Sequence, residues 1–155
     1  MDTEIGSGRA LQTGHVGLNV SDIERSKEFY SKVFGFQITG EFEEGDRRFA
    51  FLSEGEKLVL TLWQQSEGRF EKRRPGLHHL SFQVDTIEHV REVEQRLRAL
   101  NVTLIHDGIV PHAEGRESGG IFFEDPDGIR LEIYSPAGAD NYQAPTPGAP
   151  SCGFF

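Results

Sequence analysis

Apolar and polar residues alternate along two short stretches of the chain, and both stretches open on a histidine. The first, HVGLNV at residues 15–20, places an apolar residue at every second position, which is the period of a half-buried strand. The second, HLSFQV at residues 79–84, repeats the pattern. Both strands are therefore predicted to pack one face on a helix and to present His15 and His79 on the other face, toward a cavity.

An amphipathic helix and three further strands are predicted after each of these stretches. The first helix follows the Ser21-Asp22 cap and stops at Gly35, and the second runs from Thr86 to about Leu100. The predicted strands cover residues 15–20, 36–42, 48–52, 58–63, 77–84, 102–108, 120–124 and 129–134. The order βαβββ occurs twice, which predicts an α+β fold with curved mixed sheets around a cavity.

The two repeats are expected to share one core. Each half has about 60 residues and would not bury enough apolar area alone, so module one (about 13–64) and module two (about 77–135) are expected to form a single domain spanning 1–155. Residues 136–155 are rich in proline and glycine and are predicted to be an irregular tail. Its aromatic pair Phe154-Phe155 is expected to dock on the body or on a partner.

Composition narrows the function classes. The chain has 155 residues, 36% of them hydrophobic and 26% charged, which fits one globular domain. A net charge of -9 argues against binding to a nucleic-acid backbone. No stretch approaches the roughly 20 apolar residues that cross a bilayer, and a cytoplasmic location is expected. Cys152 is the only cysteine, so no intrachain disulfide can form.

Three polar residues stand on strand faces that would otherwise be apolar. Glu132 is flanked by apolar Leu131 and Ile133, which face the opposite way, and His15 and His79 open the repeated strands. Two imidazoles and one carboxylate form a facial triad of the kind that binds one divalent ion while leaving positions open for a chelating ligand. We expect iron, manganese, zinc or nickel at this triad.

Other residues are candidates for contact with a substrate. His112 and Glu117 could act as general acid or base, although an exposed polar loop is the competing interpretation. Arg130 could orient an anionic substrate from the cavity face. Trp63 and Tyr134 could stack on a ligand, although most aromatic residues of the chain are expected in the core.

The motifs GHVGLNV (14–20), HHLSF (78–82) and FEDPDGIRLE (123–132) are similar to those of the vicinal-oxygen-chelate superfamily. This superfamily includes glyoxalase I, extradiol dioxygenases, methylmalonyl-CoA epimerases, fosfomycin thiol transferases and bleomycin-sequestering proteins. The resemblance implies that the family's metal ligands correspond to His15, His79 and Glu132 and that the protein is a homodimer, with the cavity formed either within one chain or between two. It also implies that His78 faces away from the metal.

Two departures from the family pattern bear on the activity. Thr61 stands where glyoxalase I and the epimerases carry a fourth ligand, and a hydroxyl is a poor substitute for a carboxylate or imidazole. Phe122 lies where extradiol enzymes carry a tyrosine near the metal ligands, which weakens a catechol-cleavage interpretation.

Two function classes follow from the resemblance. The first is a metal-dependent enzyme, of dioxygenase or lyase/isomerase type, whose small substrate chelates the ion so that the metal acts as a Lewis acid. The second is a binding protein that sequesters an antibiotic or metabolite between aromatic side chains. Sequestering members of the superfamily generally lack the triad, so the triad favours the enzyme. The substrate itself is left open by the fold, which hosts unrelated reactions.

Overall fold

The computed structural model describes residues 10–155 of the chain, and its elements follow the order βαβββ twice. The helices are α1 (Ile23–Phe34) and α2 (Ile87–Ala99). The strands are β1 (Val16–Val20), β2 (Gln37–Glu44), β3 (Arg47–Glu54), β4 (Lys57–Gln64), β5 (Leu80–Gln83), β6 (Val110–Pro111), β7 (Gly119–Glu124) and β8 (Arg130–Ser135). The α+β fold predicted from the repeat is confirmed. Within residues 10–155, neither helix is long and apolar enough to cross a membrane.

Each half forms one four-stranded mixed sheet. The strand orders are β1-β4-β3-β2 and β5-β8-β7-β6, so the two sheets have the same topology. In each sheet the first strand pairs in parallel with the last, and the remaining pairs are antiparallel. The register places Gly17 beside Thr61 in the first sheet and Ser81 beside Glu132 in the second. The strands described here do not join the two sheets into a closed barrel.

The apolar faces of both sheets and both helices share one core. Helix α1 contributes Phe34, whose ring lies 4.8 Å from Phe82 and 6.0 Å from Phe123, both in the second half of the chain. Arg96 of α2 donates from Nη1 to the Val33 carbonyl oxygen at 2.6 Å. The core lies on one face of each sheet. The opposite face carries the aromatic residues Phe49 and Trp63 in the first sheet and the polar residue Glu132 in the second.

The helix ends agree with the caps read from the sequence. Asp22 accepts from the Arg25 N–H at 3.1 Å and caps α1. Gly35 ends this helix in the left-handed region at φ 75° and donates its N–H to the Ser31 carbonyl. Thr86 caps α2 by accepting from the His89 N–H at 3.3 Å.

The strand predicted at residues 102–108 is wrong. This segment makes only the isolated bridge Leu104↔Phe123, and a short strand forms later, at Val110–Pro111. The chain bends over residues 105–108, ending at Gly108 with φ 107°, and this bend separates the bridge at Leu104 from the pairing of β6 with β7. The predicted strand 77–84 is also shorter in the structure, since residues 77–79 precede β5 as irregular backbone.

The turn at residues 125–128 joins the two halves through two carboxylates. Asp125 accepts from the Tyr30 hydroxyl at 2.8 Å, and both groups are buried. Asp127 accepts from the Ser21 N–H at 3.2 Å and from the Ser21 hydroxyl, and it pairs with Arg25 at 3.0 Å. These contacts fix the second sheet against the beginning and middle of α1.

Residues 136–155 form an irregular segment that docks on the second half. The Ala139 N–H donates to the Glu117 carbonyl at 2.8 Å. Buried Ser151 donates its N–H to the His112 carbonyl at 2.8 Å and its hydroxyl to the Pro111 carbonyl at 2.5 Å. Beyond this anchor the chain returns over the polar face of the second sheet, where Phe155 lies against several aromatic rings.

Candidate metal and ligand site

A buried carboxylate lies at the centre of the polar face of the second sheet. Glu132 is 3% exposed and belongs to β8, which lies between β5 and β7. The alternation that sends Leu131 and Ile133 into the core turns Glu132 to the opposite face. Its Oε1 accepts from the Ser81 hydroxyl at 3.0 Å, and Ser81 is its register partner on β5.

Two imidazoles face this carboxylate from different segments. His112 Nε2 lies 2.9 Å from Glu132 Oε1, and His112 Nδ1 lies 2.8 Å from the Ser118 hydroxyl. His79 Nε2 lies 3.9 Å from Glu132 Oε2. One oxygen of Glu132 is therefore held by hydrogen bonds, and the other faces His79.

His78 lies beside His79 rather than away from it. The Nδ1 atoms of the two residues are 2.8 Å apart, and the His78 carbonyl accepts from Arg130 Nε at 2.8 Å. Both histidines precede β5, so the alternation of a strand does not govern where their rings point. Burial lowers the pKa of His78, and the neighbouring charges of Arg130 and His79 lower it further.

Arg130 and Tyr134 share this face because they lie two residues on either side of Glu132. Arg130 is 2% exposed and donates to main-chain oxygens of His78 and Phe155. The Tyr134 ring is 4.9 Å from the His112 ring, and its hydroxyl donates to Gln83 Oε1 at 2.9 Å. Of the residues predicted to contact substrate, these two lie close to Glu132 and His112.

The remaining predicted site residues lie elsewhere. His15 is exposed and directly precedes β1 in the first sheet. Trp63, on the same sheet, is 37% exposed and donates from Nε1 to the Thr61 hydroxyl at 3.0 Å. Glu117 is exposed, and its backbone carbonyl holds the tail at Ala139. Within the part of the chain that is described, no three His, Cys, Asp or Glu side chains cluster as a metal site.

Two residues of the face carry weak signals in the sequence. Ser81 comes two residues after His79, and its place on the polar face of β5 is visible from the alternation. Of the aromatic pair predicted to dock on the body or on a partner, Phe155 docks on the body, 6.4 Å from His79 between ring centroids, whereas Phe154 is 93% exposed. The surface that Phe155 reaches could not be predicted, because the segment has no periodicity.

The side chains of His79 and Glu132 place a nitrogen and an oxygen where both can bind one divalent ion. Ligand atoms about 2.1 Å from an ion can be up to about 4.2 Å apart, and the separation of His79 Nε2 and Glu132 Oε2, 3.9 Å, falls within this span. Ser81 and His112 orient the carboxylate through its other oxygen, as groups behind a metal ligand commonly do. The pair therefore fits two ligands of one ion.

Known proteins match almost the whole body of the chain. The model of the Glyoxalase/Bleomycin resistance protein/Dioxygenase superfamily matches residues 12–133, which include His15, His79 and Glu132. Catechol-2,3-dioxygenase of Bacillus subtilis (strain 168) is 26% identical over 125 residues, covering 79% of this chain and 40% of that enzyme.

Solved structures show the same fold. The glyoxylase/bleomycin resistance protein/dioxygenase domain from Frankia sp. EAN1pec superposes with a TM-score of 0.68 at 25% identity, covering 82% of this chain and 98% of that one. The fosfomycin resistance protein FosX of Listeria monocytogenes, in complex with Mn(II) and a sulfate ion, superposes with a TM-score of 0.61 at 19% identity, covering 82% and 93% of the two chains. The likeness to FosX is one of fold.

Proposed function

The chain belongs to the Glyoxalase/Bleomycin resistance protein/Dioxygenase superfamily, and on this premise we propose that it is a metal-dependent enzyme acting on a small substrate that chelates the ion. The observation that carries the proposal is the buried Glu132 carboxylate, with one oxygen held by Ser81 and His112 and the other facing His79. Burial of a carboxylate costs free energy of folding. A role as a metal ligand accounts for a carboxylate kept at this position. The reaction is of dioxygenase or lyase/isomerase type.

His79 and Glu132 hold the ion, and His15 is the third ligand. Within the described residues His15 does not cluster with His79 and Glu132, so the His15 that completes the site is inferred to come from a second copy in a homodimer. The exposure of His15 and of the aromatic residues Phe42 and Trp63 on the non-core face of the first sheet supports this arrangement. The face of one copy that carries His15 then covers the face of the other copy that carries Glu132.

When bound, the ion supplies a Lewis acid that stabilises an oxyanion on the chelating substrate. His112 is the group that holds a proton beside the site, since it bridges Ser118 and Glu132 through its two nitrogens. Arg130 orients the substrate from the same strand face. A role of Glu117 as acid or base stays a prediction.

Sequestration of an aromatic metabolite or antibiotic is the second candidate function. Phe42 and Trp63, 40% and 37% exposed, lie on either side of Phe49 on the first sheet. Ring centroids are 5.6 Å apart between Phe42 and Phe49 and 5.2 Å apart between Phe49 and Trp63. This row of rings offers a stacking surface to a planar ligand.

Metal content tests the first candidate. Protein without a histidine tag is reconstituted with iron, manganese, zinc or nickel, and the bound metal is quantified by mass spectrometry. We expect about one ion per chain in the wild type and loss of the ion in both His79→Ala and Glu132→Gln. The control is His89→Ala, which removes an exposed histidine on α2. Absence of metal from reconstituted wild type contradicts the proposal and favours sequestration.

Mixing two defective variants tests the shared site. His15→Ala and Glu132→Gln proteins are combined under conditions that exchange subunits, and metal is measured again. If each site uses both copies, about one quarter of the wild-type sites return, because half of the dimers are mixed and each mixed dimer has one intact site. If the mixture holds no more metal than the separate variants, the ligands do not come from two copies.

A further inference from the structure

Arg130 is a buried cation that makes no salt bridge with an acidic side chain among the described residues. Its side chain is 2% exposed, and none of the salt bridges among residues 10–155 involves it. Its guanidinium donates to two main-chain oxygens, those of His78 and Phe155. A guanidinium pairs most strongly with an anionic oxygen, so this position favours an anionic ligand when Phe155 does not cover it.

The side chain of Phe155 shows which shape fits beside this cation. Its ring centroid lies 5.1 Å from Arg130 Cζ, within the range of a cation–π contact. The ring is also 5.6 Å from His78, 5.8 Å from Phe122 and 5.7 Å from His106, measured between centroids. Aromatic rings therefore surround a ring-sized volume next to the guanidinium.

We propose that this position, the Arg130 subsite formed by Arg130, His78, His106 and Phe122, binds an aromatic ring that carries an anionic oxygen, and that Phe155 occupies it until such a ligand displaces it. Phe155 presents both recognition elements in one residue, a ring over the guanidinium and an oxygen that accepts from it. The substrate class is thus an arylcarboxylate or a related aromatic anion. The inference rests on the proposed function, since the ring lies 6.4 Å from His79.

The geometry of the tail lets Phe155 leave the subsite while the tail stays docked. Ser151 anchors the tail through three hydrogen bonds, to Pro111, His112 and His106. Phe154, after this anchor, is 93% exposed. Release of Phe155 therefore breaks its contacts at Arg130 without disturbing Ser151.

Competition between Phe155 and a ligand can be measured directly. Phenylacetate, an aromatic ring with a carboxylate, is titrated by calorimetry into wild type and into Phe155→Ala. We expect Phe155→Ala to bind phenylacetate on the order of tenfold more tightly, because the competing ring is gone and the whole population is competent to bind. Phe154→Ala is the matched control: it removes the neighbouring, exposed ring and should bind like wild type. Equal or weaker binding by Phe155→Ala overturns the proposal.

Two comparisons define the ligand class. Cyclohexylacetate keeps the carboxylate without the aromatic ring, and benzyl alcohol keeps the ring without the charge. Both should bind Phe155→Ala several-fold more weakly than phenylacetate, and Arg130→Gln should lose the preference for phenylacetate over benzyl alcohol. If cyclohexylacetate binds as tightly as phenylacetate, the aromatic part of the proposal is wrong.

The outcome is separable from the metal test. If no variant binds phenylacetate while wild type holds its ion, the Arg130 subsite is refuted and the metal-dependent function stands. If Phe155→Ala gains affinity while no metal binds, the subsite stands and the metal-dependent function fails. The calorimetric titrations are run with and without reconstituted metal so that both results come from one set of proteins.

Discussion

The carboxyl of Asp125 should make the stability of the fold depend on pH in a specific window. Asp125 is 4% exposed, and burial is the main cause that raises its pKa from 3.8 to about 6. Hydrogen bonds from the N–H groups of Asp127 and Ile129 and from the Tyr30 hydroxyl act in the opposite direction and limit the rise. The folded state therefore binds the Asp125 proton more tightly than the unfolded state does.

The sign and size of the effect follow from this difference. A group with a raised pKa in the folded state contributes stability below its unfolded pKa and loses it as pH rises through its folded pKa. The window for Asp125 thus runs from 3.8 to about 6. A rise of about 2 units corresponds to about 3 kcal/mol, so ionisation should reduce the free energy of unfolding by about this amount between pH 4 and pH 7.

The substitution Asp125→Asn isolates this contribution because asparagine keeps the shape and does not titrate. Urea unfolding at several pH values gives the free energy of unfolding of both proteins. We expect wild type to lose about 3 kcal/mol relative to Asp125→Asn from pH 4 to pH 7. Asp46→Asn, in the exposed turn between β2 and β3, controls for the loss of a carboxylate. Parallel curves for wild type and Asp125→Asn, or a wild type that gains on the variant with pH, refute the reasoning.

Two further substitutions test the packing around the site. Tyr30→Phe removes the hydroxyl that donates to Asp125 at 2.8 Å. In urea titrations the free energy of unfolding should fall by about 1–3 kcal/mol at pH 7 and by less at pH 4. Equal losses at both pH values would contradict this. Gly120→Ala would place a Cβ against the Ile133 carbonyl oxygen of the neighbouring strand. Thermal unfolding should show that the free energy of unfolding falls by about 3 kcal/mol or more. A variant within about 0.5 kcal/mol of wild type would show that β7 and β8 move apart at little cost.

The elements with strong local signals could be predicted from the sequence. The caps at Asp22, Gly35 and Thr86 use side-chain and glycine chemistry that acts within a few residues, and the structure confirms them. Residues 102–108 carry a similar apolar pattern but form no regular strand. The chain pairs with β7 only around Leu104 and then bends over residues 105–108, where Gly108 has a positive φ. Periodicity shows which residues face the core, but it does not show where a backbone bends.

The parts of the candidate site that lie on regular strands could likewise be predicted from the sequence, and the parts on irregular backbone could not. Alternation along β8 identifies Glu132 as a carboxylate off the core face, and the repeat identifies His79 at the start of β5. Alternation is not informative for His78, because its backbone is not yet part of the strand. The contact between His112 and Glu132 depends on the irregular path after residue 108, and therefore required the folded structure.

The polar face of the second sheet is buried for two reasons, and only one of them could be predicted from the sequence. Part of it is local, since β5 and β7 flank Glu132 and the register of β7 against β8 follows from the turn at residues 125–128. The rest comes from residues far along the chain, where Phe155 lies over Arg130. A cation that is 2% exposed on the outer face of a sheet is unexpected from β8 alone. Its burial follows from the return of the tail, so the tail belongs to the proposed Arg130 subsite.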